Sequence, residues 1–163
     1  MSSRSDMQGF TLIEAMIVLV LLAIVAGMAM PNLARLVALN HVETQAHTLH
    51  SLLQFARSEA VVHRTSITLS NAASGWVVTH VEDDRVLRQE TFNPGDAAIT
   101  STLAAPFTMT YRANGTADAA SFIVCRDDEA DVAFLITVQR SGNSRLMPRG
   151  KDGAGQDLQD CTP

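Results

Sequence analysis

From Phe10 to Met30 the chain places twenty-one residues in a row with one ionisable side chain, Glu14. At 1.5 Å of rise per residue such a helix spans about 30 Å, the thickness of one bilayer core. The run therefore reads as a transmembrane helix. Nine polar or small residues, Met1 to Gly9, precede it. A secretory signal peptide is cut after its apolar region, at small residues. Here Ala26-Gly27-Met28-Ala29-Met30-Pro31 continues the run, so the helix is expected to stay on the protein. A carboxylate inside a bilayer costs roughly 2.5 kcal/mol or more unless it finds a partner. Glu14 is either a partnered group or a carboxylate reaching for the membrane edge.

Pro31 lacks an amide hydrogen and should kink the helix rather than end it. Beyond it Val42, Ala46, Leu49, Leu53, Phe55-Ala56 and Ala60 recur at steps of three and four, widened by Leu52. Glu43, Gln45, His47, Gln54, Arg57 and Glu59 fill the other faces. This second half, 31–63, reads as an amphipathic continuation that lies on a soluble core. After His63 the period changes to two. Strands are expected over 65–70, 75–81, 85–91, 107–111, 121–125 and 132–138. Asp83-Asp84, Asn93-Pro94-Gly95-Asp96 and Asn114-Gly115 mark turns. The expected fold is α+β: one long N-terminal helix on an antiparallel sheet of six or seven strands, with the β domain occupying 64–163.

With 12 basic and 17 acidic residues the net charge is −5, and Arg4 and Asp6 cancel within the first nine residues. That balance excludes a general nucleic-acid-binding composition. Arg4 lies on the leader side and keeps it cytoplasmic by the positive-inside rule, which puts the 64–163 domain in the periplasm. There Cys125 and Cys161, the only cysteines, can be oxidised. Their bridge would close a loop of about 37 residues and contribute about 3–4 kcal/mol on the chain-entropy model. The alternative is two free buried thiols.

Gly9-Phe10-Thr11-Leu12-Ile13-Glu14, joined to the short leader and the apolar run, resembles the prepilin motif of type IV pilins and of the pseudopilins of type II secretion. The resemblance implies cleavage by a prepilin peptidase after Gly9, so that 1–9 is a removed leader, and N-methylation of Phe10. Glu14 then becomes the fifth mature residue, placed to pair with the new α-amine of a neighbouring subunit's Phe10 during assembly. The whole length resembles the GspH/FimT family of minor pilins and pseudopilins. The residues that carry this are Met30-Pro31-Asn32-Leu33, Leu53-Gln54-Phe55-Ala56-Arg57-Ser58-Glu59-Ala60, the strand pair around Trp76, Tyr111-Arg112-Ala113-Asn114-Gly115-Thr116, and Ser141-Gly142 followed by Arg145. Pro31 leans toward the type IV pilus side of that resemblance.

No enzyme constellation stands out, and no cofactor or metal is expected. Glu43, His47 and His50 share a helix face and are metal ligands by type, but their spacing is common. Asp127, Asp128, Glu129 and Asp131 do not match a calcium loop and read as a solvated turn. Arg140, Arg145, Arg149 and Lys151 put four cations within twelve residues, enough to contact phosphates without reading sequence. Some FimT-like proteins bind DNA through a C-terminal G-R-x-R segment. Here the stretch is Gly142-Asn143-Ser144-Arg145, and the first arginine is replaced by Asn143. The expected role is a minor pilin, working with the prepilin peptidase, other major and minor pilins and the inner-membrane assembly platform. The alternatives are a DNA-binding minor pilin for natural transformation and a type II secretion pseudopilin.

Overall fold

The computed structural model describes residues 11–72 and 75–163. The chain falls into two compact units, 1–37 and 38–163. One helix, α1 (Leu12–His63), begins in the first unit and ends in the second. Its start is capped. The Thr11 hydroxyl accepts the Glu14 amide hydrogen at 3.3 Å, and the Thr11 carbonyl accepts that of Ala15 at 3.2 Å. Thr11 and Glu14 thus stand as N-cap and N3 of a capping-box sequence. From Leu12 to Met30 the side chains are exposed, and the segment is long and apolar enough to cross a membrane. Pro31 lies inside the helical span, as expected of a proline that does not end the helix.

Residues 38–163 form the second unit. The helical stripe read from the sequence is its spine: Val42, Ala46, Leu49, Leu52, Leu53, Ala56 and Ala60 are fully buried. Each large member contributes about 1.5–3 kcal/mol by leaving water. The helix stops where Arg64 turns left-handed (φ 53°) and the Thr65 amide reaches back to the Ala60 carbonyl at 3.2 Å, a Schellman closure.

Eight strands follow among the described residues: β1 (Ile67–Ala72), β2 (Gly75–His80), β3 (Val86–Glu90), β4 (Ala98–Ser101), β5 (Thr108–Tyr111), β6 (Ala120–Cys125), β7 (Phe134–Val138) and β8 (Ser144–Leu146). They form two four-stranded antiparallel sheets, ordered β3-β2-β1-β5 and β4-β6-β7-β8, rather than the single sheet expected. Two strands went unread. β4 and β8 are short edge strands, four and three residues long, too short to show a period. The strand expected from Val132 begins instead at Phe134, because Ala130–Val132 is a turn of 3-10 helix.

The α1 stripe, Ile67, Leu69, Trp76, Val78, Met109 and Tyr111 of one sheet, and Phe122, Val124, Phe134, Ile136 and Val138 of the other share one core. Trp76 is its aromatic hub, edge-on to Phe107 at 4.6 Å and to Phe92 at 5.4 Å between centroids. On β6 and β7 the alternate residues Ile123, Cys125 and Leu135 face the other way. They form a smaller second cluster with Ala133, Met147 and Cys161, with Leu158 packed against it. The C-terminal tail therefore covers the outer face of the second sheet.

Candidate functional site

Two groups of residues carry the functional expectations, and each is held by its own local geometry. In the N-terminal group, Gly9 and Phe10 lie outside the described residues. Glu14 is exposed in the first turn of α1, its amide bonded to Thr11. Its backbone serves the helix cap, and its carboxylate meets no partner among the described residues.

The second group sits where α1 ends. Arg57, a half-buried helix residue, donates from Nε to the Gly115 carbonyl and from Nη2 to the Ser141 carbonyl, both at 3.3 Å. Gly115 belongs to the turn between β5 and β6, which lie in different sheets, and Ser141 to the β7–β8 turn. The turns also touch directly, the Ala117 amide donating to the Arg140 carbonyl at 3.2 Å. Gly142 is left-handed (φ 74°), and a Cβ there would run into the Gly115 carbonyl. One guanidinium thus knots helix, first sheet and second sheet together. The sequence flagged Arg57, Gly115 and Gly142 only as members of three separate motifs; the fold brings the three into contact. Beside it, burial holds the Tyr111 hydroxyl's pKa well above the ordinary phenol value, against the opposing pull of Arg57. That hydroxyl has no hydrogen-bond partner among the described residues.

The knot presents the basic hairpin, and the four cations separate into two pairs. Arg149 donates to the Glu43 carboxylate at 2.7 Å, tying the segment after β8 to α1, and its guanidinium lies 5.7 Å from the Phe134 ring centroid. Lys151 donates to Asp157 at 2.6 Å inside the tail. Arg140, at the tip of the β7–β8 turn, and Arg145, opposite Thr137 on β8, are exposed and meet no carboxylate among the described residues. A phosphate-contacting surface therefore has two free arginines rather than four cations.

The Cys125–Cys161 disulfide joins the end of β6 to the tail, with Cα atoms 5.8 Å apart. The Thr100 hydroxyl adds a 2.6 Å bond to the Cys161 carbonyl. Glu43, His47 and His50 do not converge: Glu43 is taken by Arg149, and a His50 ring nitrogen lies 3.3 Å from the Ser144 carbonyl oxygen. No cluster able to hold a metal ion occurs among the described residues. Asp127, Asp128, Glu129 and Asp131 lie exposed in the β6–β7 loop, as expected of a solvated turn.

Comparison with known proteins gives two family matches. Residues 4–30 match the prokaryotic N-terminal methylation motif, and residues 45–142 match the family described as type II transport protein GspH. Arg57, Gly115, Gly142 and Arg140 fall inside the second match; Arg145, Arg149 and Lys151 lie beyond it. No curated protein sequence matches the chain. Among solved structures, the type IV minor pilin FimU of Pseudomonas aeruginosa is similar at 23% identity and a TM-score of 0.63, covering 75% of this chain and 96% of its own. The minor pseudopilin EpsH from the type II secretion system of Vibrio cholerae is similar at 14% identity and a TM-score of 0.54, covering 66% and 96%. These likenesses establish the fold: a long N-terminal helix packed on antiparallel sheets.

Proposed function

Since the chain belongs to the GspH family, whose fold is shared by minor pilins and pseudopilins, we propose that it is a minor pilin incorporated into a type IV pilus or its priming complex. The observation that carries this is the methylation motif over residues 4–30, running into an apolar helix whose one early charge is Glu14. In this reading a prepilin peptidase cuts after Gly9 and Phe10 is methylated. The helix holds the subunit in the inner membrane with residues 64–163 in the periplasm. On extraction the Glu14 carboxylate pairs with the α-amine of a neighbouring Phe10, so that only a processed neighbour offers a partner. The exposed carboxylate beyond the Thr11 cap is available for that pairing.

The test separates the charge from the cap. Glu14→Gln keeps a side chain suited to a capping box but removes the charge; Glu14→Ala removes both. Both variants should be cleaved and membrane-held yet fall out of the sheared pilus fraction. A Glu14→Ala protein recovered in pili at the parental level would refute the assembly role. Recovery of the parent with a secretion machine instead of pili would favour the pseudopilin alternative. A DNA-uptake role would rest on Arg140 and Arg145 alone, because Glu43 and Asp157 occupy the other two cations. Duplex binding by the full chain that falls steeply with salt, and is lost in Arg140→Gln with Arg145→Gln, would establish it.

A further inference from the structure

The first unit, 1–37, carries two ionisable side chains among its described residues, Glu14 and Arg35. Between them Ala15 to Ala34 is a run of twenty uncharged residues. At 1.5 Å per residue that run is about 30 Å long, one bilayer core. A window from Phe10 to Met30 has nearly the same length but puts Glu14 about 6 Å inside the hydrocarbon. Sliding the window about 7.5 Å along the helix takes both charges out of it. The hydrocarbon is then bounded by a carboxylate on one side and a guanidinium on the other.

Helix geometry favours the shifted window. Every Cα–Cβ bond of a helix tilts toward its N-terminus. At Glu14 the tilt carries the carboxylate away from the hydrocarbon. At Arg35 it turns the guanidinium back toward the headgroups instead of out into water. Asn32 is exposed on the same face, three positions earlier, and adds an amide donor. Leu36 and Val37, just beyond Arg35, are 54% and 45% exposed, and Leu33 before it is 61% exposed. Apolar side chains on both sides of a long cationic one suit the boundary between acyl chains and headgroups.

Arg35 is exposed and meets no carboxylate among the described residues, and the next acidic residue along the chain, Glu43, is taken by Arg149. Its counter-charge therefore has to come from another molecule. At this depth the bilayer offers lipid phosphodiesters, whose oxygens match the planar fork of a guanidinium in pairs.

We propose that Arg35, aided by Asn32, is a lipid-phosphate anchor. It binds headgroup phosphodiesters of the leaflet on the C-terminal side of the span and fixes the helix at the depth where Ala15 to Ala34 fill the hydrocarbon. The inference rests on the membrane-held step of the minor-pilin reading and adds what grips the subunit there. It also sets the Glu14 carboxylate at the opposite boundary before assembly, because interfacial anchors decide how a long apolar helix sits.

The experiment uses the full chain in vesicles of phosphatidylethanolamine and phosphatidylglycerol. Lys151, in the second unit, is the only lysine. Arg35→Lys prepared with isotope-labelled lysine therefore places a reporter at the anchor with one background signal. Lipid phosphorus should dephase the added ammonium in solid-state nuclear magnetic resonance, and the parent, labelled at Lys151 alone, should lack that dephasing. Depth is read separately from Val20→Trp and Val25→Trp, using nitroxides at the acyl-chain ends, with Trp76 as a shared background. Val25→Trp should be the more strongly quenched, since it lies at the middle of Ala15 to Ala34. Adding Arg35→Gln should narrow the difference between the two positions. Stronger quenching of Val20→Trp, a difference unmoved by Arg35→Gln, or an ammonium that phosphorus does not dephase would overturn the proposal and leave the membrane-held reading intact. Quenching of neither tryptophan would sink both.

Discussion

Gly142 supplies the sharpest test of the knot at the end of α1. Its φ of 74° is left-handed, which costs an L-residue about 1 kcal/mol. The added methyl would also lie inside the contact distance of the Gly115 carbonyl, a backbone atom that no rotamer change can move aside. Gly115 is pinned by its own bond to Arg112 at 2.7 Å and by Arg57. Overpacking of this kind costs about 1–3 kcal/mol. Together Gly142→Ala should destabilise the domain by about 2–4 kcal/mol, a large part of the roughly 5–15 kcal/mol typical of a folded domain. Gly153→Ala is the control, because a Cβ there meets nothing within 4 Å and its φ is not left-handed. It should shift stability by less than about 0.5 kcal/mol. The assay is urea unfolding of the full chain in detergent, followed by Trp76, the single tryptophan, which is buried at the centre of the domain. The parent and both variants should share one slope and differ in midpoint. A Gly142→Ala midpoint equal to that of Gly153→Ala would refute the packing argument.

Three further outcomes follow from the same geometry, beside the loss of pilus incorporation expected of the Glu14 variants. Tyr111→Phe should be neutral or stabilising by about 1 kcal/mol, because the buried hydroxyl has no partner to lose; a clear fall in the urea midpoint would contradict this. Replacing Cys125 and Cys161 by serine opens a loop spanning 36 positions and should cost about 4 kcal/mol on the chain-entropy model, with the tail over Ile123, Leu135 and Met147 becoming the first segment cut by protease. The Asp96 pKa is lowered, chiefly by its hydrogen bond with His41, so its contribution is complete above the ordinary carboxylate value of 3.8 and is lost as pH falls through the lower folded value. Asp96→Asn should therefore lower stability slightly at neutral pH, match the parent in strong acid, and so flatten that part of the acid unfolding curve below about pH 4.

Most of the helix was legible because its signal is local and repeated. Seven side chains at steps of three and four must fall on one face of any α-helix, and Val42 through Ala60 are buried accordingly. The strands with clear alternation or turn marks were legible too, with boundaries off by one or two residues. β4 and β8 were not, since a three- or four-residue edge strand is defined by the neighbour that pairs with it, β6 or β7, and not by its own period. Arg140, Arg145, Arg149 and Lys151 looked alike in the sequence because charge is a property of the residue. Their separation depends on Glu43, 106 positions away from Arg149, and on the tail that folds Asp157 back onto Lys151.

The sequence by itself determined the apolar N-terminal helix, the amphipathic spine and the single possible intramolecular cysteine pair. Each of these follows from composition or spacing within one stretch of chain, or from simple count. Only the tertiary structure decided that there are two sheets and not one, that Arg57 knots them to the helix, and which two arginines stand free. Those features arise from contacts between residues far apart in the chain, and no local period records which distant group a side chain will meet.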